Sequence, residues 1–177
     1  MWGAMKCVTA LLALLASASL SLAQSDALAT NADLAALKAE IERLKGMVPD
    51  QSHAMKDVAY HFTNLWFAAQ TKNWPLADFY LSETRSHLRW AVRIIPVRKT
   101  LQGAELRLAD LLDPLDKTVF TDLQATVAAK DGEAFRAKYE QTLNACYSCH
   151  IAAGKPYLRL QIPKQPEAQV IRFEPEP

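Results

Sequence analysis

The sequence predicts an all-α fold: a four-helix up-down-up-down bundle with an extra N-terminal amphipathic helix and a Pro-rich C-terminal tail. Apolar residues recur at three- and four-residue steps, which is the spacing of one face of a helix. Glycine is scarce, with 5 in 177 residues. No stretch shows the Val/Ile/Thr alternation with turn pairs that is typical of strands. A chain of this length suits one globular domain.

The composition also limits the class of partner. The formal net charge is +1, and half of the residues are apolar. A charge so close to neutral gives no electrostatic support for nucleic-acid binding, which a strongly basic domain would supply. We therefore expect no nucleic-acid partner.

Residues 1–23 have the pattern of a bacterial-type signal peptide. Lys6 precedes an apolar run from Val8 to Leu22, and Ser21-Leu22-Ala23 is a small-x-small site, so we expect cleavage after its last residue. The alternative is a membrane anchor, but the run is shorter than about 20 strongly apolar residues and is diluted with Ser and Ala. We therefore expect a periplasmic protein with no stable membrane span.

Residues 24–50 predict an amphipathic helical segment. Asn31 is a plausible N-cap, and Pro49 ends the helix. The apolar positions between them follow heptad spacing: Leu34, Leu37, Ile41, Leu44 and Val48. Two heptads are consistent with a coiled-coil contact, and hence a homodimer, and equally with a helix that packs on its own domain.

Residues 51–153 predict the bundle. Its helices are expected at 51–70, from 75 to about 95, at about 115–129, and from about 131 onward. Pro75 suits the first turn of the second helix, and the segment 97–114 is expected to be a connection that contains a short helical piece. Residues 154–177 contain five prolines and cannot form a continuous helix. Their apolar residues predict a tail that lies over the bundle, and disorder of its last ten residues is the alternative.

The motif that carries chemistry is Cys146-Tyr147-Ser148-Cys149-His150. It has the C-x-x-C-H spacing of c-type haem attachment. On a helix, positions i, i+3 and i+4 lie on one face. Two cysteines can therefore form thioethers with the vinyl groups at one edge of a porphyrin, while the histidine ligates its iron. The only other cysteine, Cys7, would leave with the signal peptide.

Three alternatives for this motif are weaker. A structural zinc site needs two more ligands, and His53, His61 and His87 have no zinc-finger spacing. A redox-active C-x-x-C prefers a strand–helix setting at the start of a helix, whereas this pair is expected near the end of one. A chance pattern is the third. Export favours haem c, because that haem is attached outside the cytoplasm.

With its single C-x-x-C-H near the C-terminus of an all-helical exported chain, the sequence resembles the class II cytochromes c, the four-helix cytochrome c′ and c-556 type. The resemblance covers about Gln51 to Ala153, and its one specific motif is Cys146 to His150. It implies one covalent haem c, with His150 as the proximal iron ligand. The leader helix and the long tail depart from the family pattern.

The ligand opposite His150 decides the function. Met55 lies on the apolar stripe a few residues into the first bundle helix, at the end where the fourth helix should finish. Low-spin members of the family use a methionine in a similar place, so the resemblance implies Met55 as the distal iron ligand. A methionine that only fills the core is the alternative. His61 and His87 are weaker candidates, and His53 is expected to be exposed.

An arginine stripe on the second helix adds possible haem contacts. Arg85 and Arg89 suit the haem propionates, since guanidinium binds carboxylates through paired hydrogen bonds; a solvated helix face is the alternative.

We expect a non-enzymatic electron carrier that exchanges electrons with redox proteins of the periplasm. The alternative is a five-coordinate, cytochrome c′-like protein that binds NO or CO, and a peroxidase-like enzyme using His61 or His87 is weaker still.

Overall fold

The computed structural model describes residues 29–176, which are mostly helical and confirm the predicted all-α class. They divide into two compact units, residues 29–47 and residues 48–176. The predicted signal peptide at 1–23 lies outside the described residues. Within the described range, no helix has both the length and the apolar character needed to cross a membrane.

The first unit is the helix α1, Asn31–Met47. Its N-cap is Thr30 and not Asn31: the Thr30 hydroxyl accepts a hydrogen bond from the Asp33 backbone N–H at 3.2 Å, and the Asp33 carboxylate accepts one from the Thr30 N–H at 2.8 Å. This reciprocal pairing satisfies two donors at the helix start. The apolar heptad residues of α1 are exposed: Leu34, Leu37, Ile41 and Leu44.

The second unit contains the remaining elements. They are α2 (Gln51–Gln70), α3 (Trp74–Ile94), β1 (Val97–Lys99), β2 (Glu105–Arg107), α4 (Leu108–Lys117), α5 (Val119–Ala128) and α6 (Gly132–Ala152). Side-chain caps fix three starts: Asp50 for α2, Asn73 for α3 and Asp131 for α6. Helix α2 packs against α3 and α6, and α5 packs against α3, α4 and α6.

The segment predicted as a connection with a short helical piece is instead a β-hairpin followed by a full helix, α4. Strands β1 and β2 pair antiparallel, with Val97 opposite Arg107 and Lys99 opposite Glu105. Gly103 turns the chain between them at φ 84°, a conformation open to glycine. Strands of three residues are too short to give a periodic signal, which explains why the sequence does not reveal them.

The predicted third bundle helix at about 115–129 is also interrupted. Helix α4 ends at Lys117, Thr118 adopts φ −117° and ψ −87°, and α5 begins at Val119. The Thr118 hydroxyl donates to the Pro114 carbonyl at 2.9 Å. Such side-chain bonds to the backbone compete with helical hydrogen bonds and favour a break.

The core is built on aromatic side chains shared by α2 and α6. The rings of Phe62 and Tyr139 stack with centroids 4.4 Å apart, and the buried Tyr139 hydroxyl donates to the Phe62 carbonyl at 2.8 Å. Trp66 packs against Tyr139 one turn further along α2. Near the end of α2, the Arg136 guanidinium donates to the Gln70 side chain at 2.8 Å. In these contacts the residue numbers increase along α2 while they decrease along α6, so the two helices are antiparallel.

The Pro-rich tail lies against this core, as expected. The buried Asn64 side chain of α2 accepts hydrogen bonds from the backbone N–H groups of Glu167 and Ala168, at 3.0 and 3.1 Å. Phe173 is buried, and its carbonyl accepts from the Thr71 hydroxyl at 2.8 Å. Other apolar side chains of the tail are exposed instead: Tyr157, Leu158, Leu160 and Val170.

Replacing Asn64 by alanine is expected to loosen the tail. One buried and one partly buried backbone donor would lose their acceptor, and an unsatisfied buried donor costs about 1–3 kcal/mol. We expect the free energy of unfolding to fall by about 2 kcal/mol on this scale, with faster trypsin cleavage at Lys164 and Arg172. Asn144→Ala on the exposed face of α6 is the control. Unchanged urea unfolding and proteolysis in Asn64→Ala would show that these hydrogen bonds do not hold the tail.

Candidate functional site

The two cysteines of the motif occupy the last two turns of α6. Cys146 packs against the core cluster, and Cys149 is partly buried. Burial, reinforced by the neighbouring Cys149, raises the pKa of Cys146 to about 12, and burial also raises the pKa of Cys149. Both thiols are free and neutral at physiological pH. A redox-active pair depends on a lowered thiol pKa, so this environment argues against thioredoxin-like chemistry.

A tight turn follows the motif and brings the tail back along α6. Gly154 adopts φ 74°, the Gly154 N–H donates to the Ile151 carbonyl, and the Lys155 N–H donates to the His150 carbonyl. This is a Schellman ending, which favours glycine at the left-handed position. The Tyr147 hydroxyl then donates to the Pro156 carbonyl at 2.9 Å and fixes the returning chain beside the motif.

The returning chain orients His150. The His150 Nδ1 atom lies 3.0 Å from the Leu158 carbonyl oxygen. A carbonyl can only accept, so this hydrogen bond requires the proton on Nδ1 and leaves the lone pair of the neutral ring on Nε2. Histidines that bind metal typically donate their second ring N–H to a carbonyl or carboxylate in this way. His150 therefore has the tautomer of a metal ligand.

Met55 lies at the level of the motif. The antiparallel pairing of Phe62 with Tyr139 fixes the register of α2 against α6. Two helical turns back along α2 from Phe62 lead to Met55, and two turns forward along α6 from Tyr139 lead to Cys146. The Met55 side chain is only partly buried, so it lies at the edge of the apolar face of α2.

Arg85 and Arg89 have a carboxylate partner within the protein. The Arg85 guanidinium donates to Asp116 Oδ1 at 2.6 Å and to the Gln124 side chain at 2.6 Å, and Arg89 lies 3.4 Å from Asp116 Oδ2. Arg85 therefore ties α3 to α4 and α5. Contact of either arginine with a haem propionate stays a prediction, and for Arg85 it would mean giving up this pairing.

Other cations lie nearer the end of the motif helix. A cavity of about 390 Å³ there is lined by Arg98 and Lys99 of β1, by Glu105 of β2 and by Ala153 and Lys155. The hairpin brings these residues together, and Arg98 also donates to the Gln51 side chain at 2.8 Å. Sequence reasoning missed this cluster, because it depends on a hairpin that the sequence does not signal.

The histidines fall into two environments. His53 is exposed, as predicted, and its Nδ1 atom lies 2.8 Å from the Asp50 carboxylate. The hydrogen bond from the Ser52 side chain, and then those from the His53 ring and the His53 N–H, hold the pKa of Asp50 well below its usual range. His61 and His87 lie side by side between α2 and α3, with ring centroids 4.8 Å apart. Burial, and secondarily the charge of its neighbour, lower the pKa of His61.

No protein-family model matches this chain, and neither a curated protein nor a solved structure matches it. Function must therefore be inferred from the residues of the motif and from their geometry.

Proposed function

We propose that this chain is a periplasmic monohaem cytochrome c that carries electrons, with haem attached through Cys146 and Cys149 and iron held by His150 and Met55. The observation that carries the proposal is the hydrogen bond from His150 Nδ1 to the Leu158 carbonyl. It leaves Nε2 of the motif histidine free to ligate a metal, next to two free thiols on the same helix face.

Cys146, Cys149 and His150 fit haem c, the cofactor that the motif implies. Haem c requires two thiols one helical turn apart and an imidazole beside them, and the last turns of α6 supply all three. When bound, haem supplies an iron that exchanges one electron between its ferrous and ferric forms. The chain would hold the cofactor covalently, fix the proximal imidazole through Leu158, and exclude water with the aromatic core and the tail.

The proposal includes an up-down-up-down bundle formed by α2, α3, the broken helix α4–α5, and α6. Three facts support it: α3 packs against both α2 and α5, α5 packs against α6, and α2 runs antiparallel to α6. In that arrangement the start of α2 and the end of α6 share one end of the bundle. The cavity beside the hairpin is consistent with this arrangement. Arg98, which lines it, contacts Gln51 at the start of α2, and Ala153 at the end of α6 lines the same cavity.

Two parts of the proposal rest on sequence alone. Export to the periplasm rests on the pattern of residues 1–23, and the expected partners are other redox proteins of that compartment.

Methionine opposite histidine tends to raise the reduction potential of haem iron, which suits a carrier that accepts electrons readily. The basic residues Arg98, Lys99 and Lys155, near the end of the motif helix, are candidates to contact the propionates in addition to Arg85 and Arg89.

Absorption spectra of the haem-loaded protein test this function. For the carrier we expect sharp bands in the reduced form, the weak long-wavelength band of Met–iron ligation in the oxidised form, and no response to CO. These features report an iron with both axial positions filled by protein. A broad high-spin spectrum that shifts with CO would contradict the carrier and favour the cytochrome c′-like alternative that binds NO or CO.

A further inference from the structure

A second group of metal-ligating side chains lies between α2 and α3. Each helix contributes a carboxylate and, four residues later, a histidine: Asp57 and His61 on α2, Glu83 and His87 on α3. Residues four apart lie on one face of a helix, so each pair projects from its helix as a unit. Because α2 and α3 pack against each other, the two pairs meet.

The distances are those of a loosely assembled metal site. His61, Glu83 and His87 each offer one ligand atom, and these atoms all lie within 4.8 Å of one another. The carboxylate of Asp57 lies 4.0 Å from His87 Nε2. Two ligands of a tetrahedral zinc ion, each about 2.1 Å from the metal, are about 3.4 Å apart. Closing His61, Glu83 and His87 around an ion therefore needs side-chain movements of about 1 Å on this geometry.

The surroundings of both histidine rings are compatible with metal ligation. His87 Nδ1 lies 2.9 Å from the Glu83 carbonyl, which puts the proton on Nδ1 and the lone pair on Nε2. Among the residues that the structure describes, the buried Nδ1 atom of His61 has no hydrogen-bond partner. A buried polar atom without a partner is costly and calls for a specific explanation. A bound cation that draws both rings together provides one.

We propose that His61, Glu83 and His87, with Asp57 as a fourth ligand, bind a divalent transition-metal ion such as Zn²⁺ between α2 and α3. Two imidazole nitrogens and two carboxylate oxygens form a donor set that suits Zn²⁺ or Cu²⁺ better than Mg²⁺ or Ca²⁺, which prefer oxygen ligands alone. The site is separate from the C-x-x-C-H motif, so it adds a structural or regulatory ion to the proposed cytochrome.

Calorimetric titration of the full mature chain with Zn²⁺ tests the site. We expect one Zn²⁺ per chain and a higher melting temperature with the ion. His87→Gln and Glu83→Gln are the main variants, because both side chains are partly exposed and their replacement should not prevent folding. Loss of even an outer-shell partner weakens metal binding about 10–100-fold, so loss of a ligand should weaken it at least that much. His53→Gln, at an exposed histidine outside the group, is the matched control.

One further variant separates this site from the motif. The chain with Cys146→Ala and Cys149→Ala lacks the thiols that would themselves bind Zn²⁺ if haem were absent, and we expect it to keep the single site. Absence of Zn²⁺ binding in this variant, or equal affinity in His87→Gln and the parent chain, would overturn the proposal. A haem spectrum that changes in His61→Gln, without any Zn²⁺ binding to the parent, would instead assign that histidine to the iron.

Discussion

Replacing Cys146 and Cys149 together by alanine is expected to abolish covalent haem retention. The two thioethers are the only bonds that would keep haem on the chain through denaturation and acid–acetone extraction. The loss should be complete, because a porphyrin held only through its iron dissociates when the chain unfolds and His150 is protonated. The measurement is the haem content of the protein fraction after extraction.

The double variant should still fold. Cys146 packs against the core, and its truncation falls among ordinary core changes that cost about 0.5–3 kcal/mol. Circular dichroism should therefore keep its helical shape. Ser148→Ala is the matched control, because Ser148 lies between the cysteines on the exposed side of α6 and bonds only to its own helix at Asn144. Haem that survived extraction in the double variant would show that attachment occurs elsewhere.

Met55→Ala is expected to change the spin state of the iron. If the methionine sulfur fills the sixth position, its removal leaves the iron five-coordinate or open to water, and the sharp low-spin spectrum becomes broad and high-spin. The same variant should gain a response to CO that the parent chain lacks. The antiparallel register of α2 and α6 places Met55 level with the motif.

A matched control exists in Met47, an exposed methionine in the first unit. Met47→Ala should leave the spectrum as it is. A low-spin spectrum that persisted unchanged in Met55→Ala would remove this residue from the iron. The protein would then need a different sixth ligand, and His61→Gln and His87→Gln would identify it.

Three helices of the second unit are predicted close to their observed bounds, and the reason is local. Helices α2, α3 and α6 carry strong apolar spacing, and Asp50, Pro75 and Asp131 mark their starts. The motif is equally local, because five consecutive residues contain all of its chemistry. These features need no tertiary information.

Other features depend on contacts that no spacing encodes. The hairpin has only three pairs of residues, and the helix break involves a single hydrogen bond of the Thr118 hydroxyl. Neither feature is long enough to produce a periodic pattern in the sequence. The partner of His150 is the backbone carbonyl of Leu158, and a carbonyl is the same at every position in a sequence. Its role emerges only once the turn at Gly154 brings the tail back beside α6.

The histidine pair between α2 and α3 also depends on tertiary packing and could not be predicted from the sequence alone. Taken one at a time, His61 and His87 look like flanking residues of two amphipathic helices. The repeated carboxylate–histidine spacing, Asp57 with His61 and Glu83 with His87, was the available signal. It gains meaning only when packing brings the two helix faces together, with the rings 4.8 Å apart.

The most direct measurement is the intact mass of the purified chain after expression in a bacterium that assembles c-type cytochromes. We predict a single species that begins at Gln24 and carries the added mass of one haem, unchanged by denaturation and acid. A chain of that length with two unmodified thiols, or with haem that separates on acidification, would contradict the assignment of Cys146, Cys149 and His150 as a haem c site.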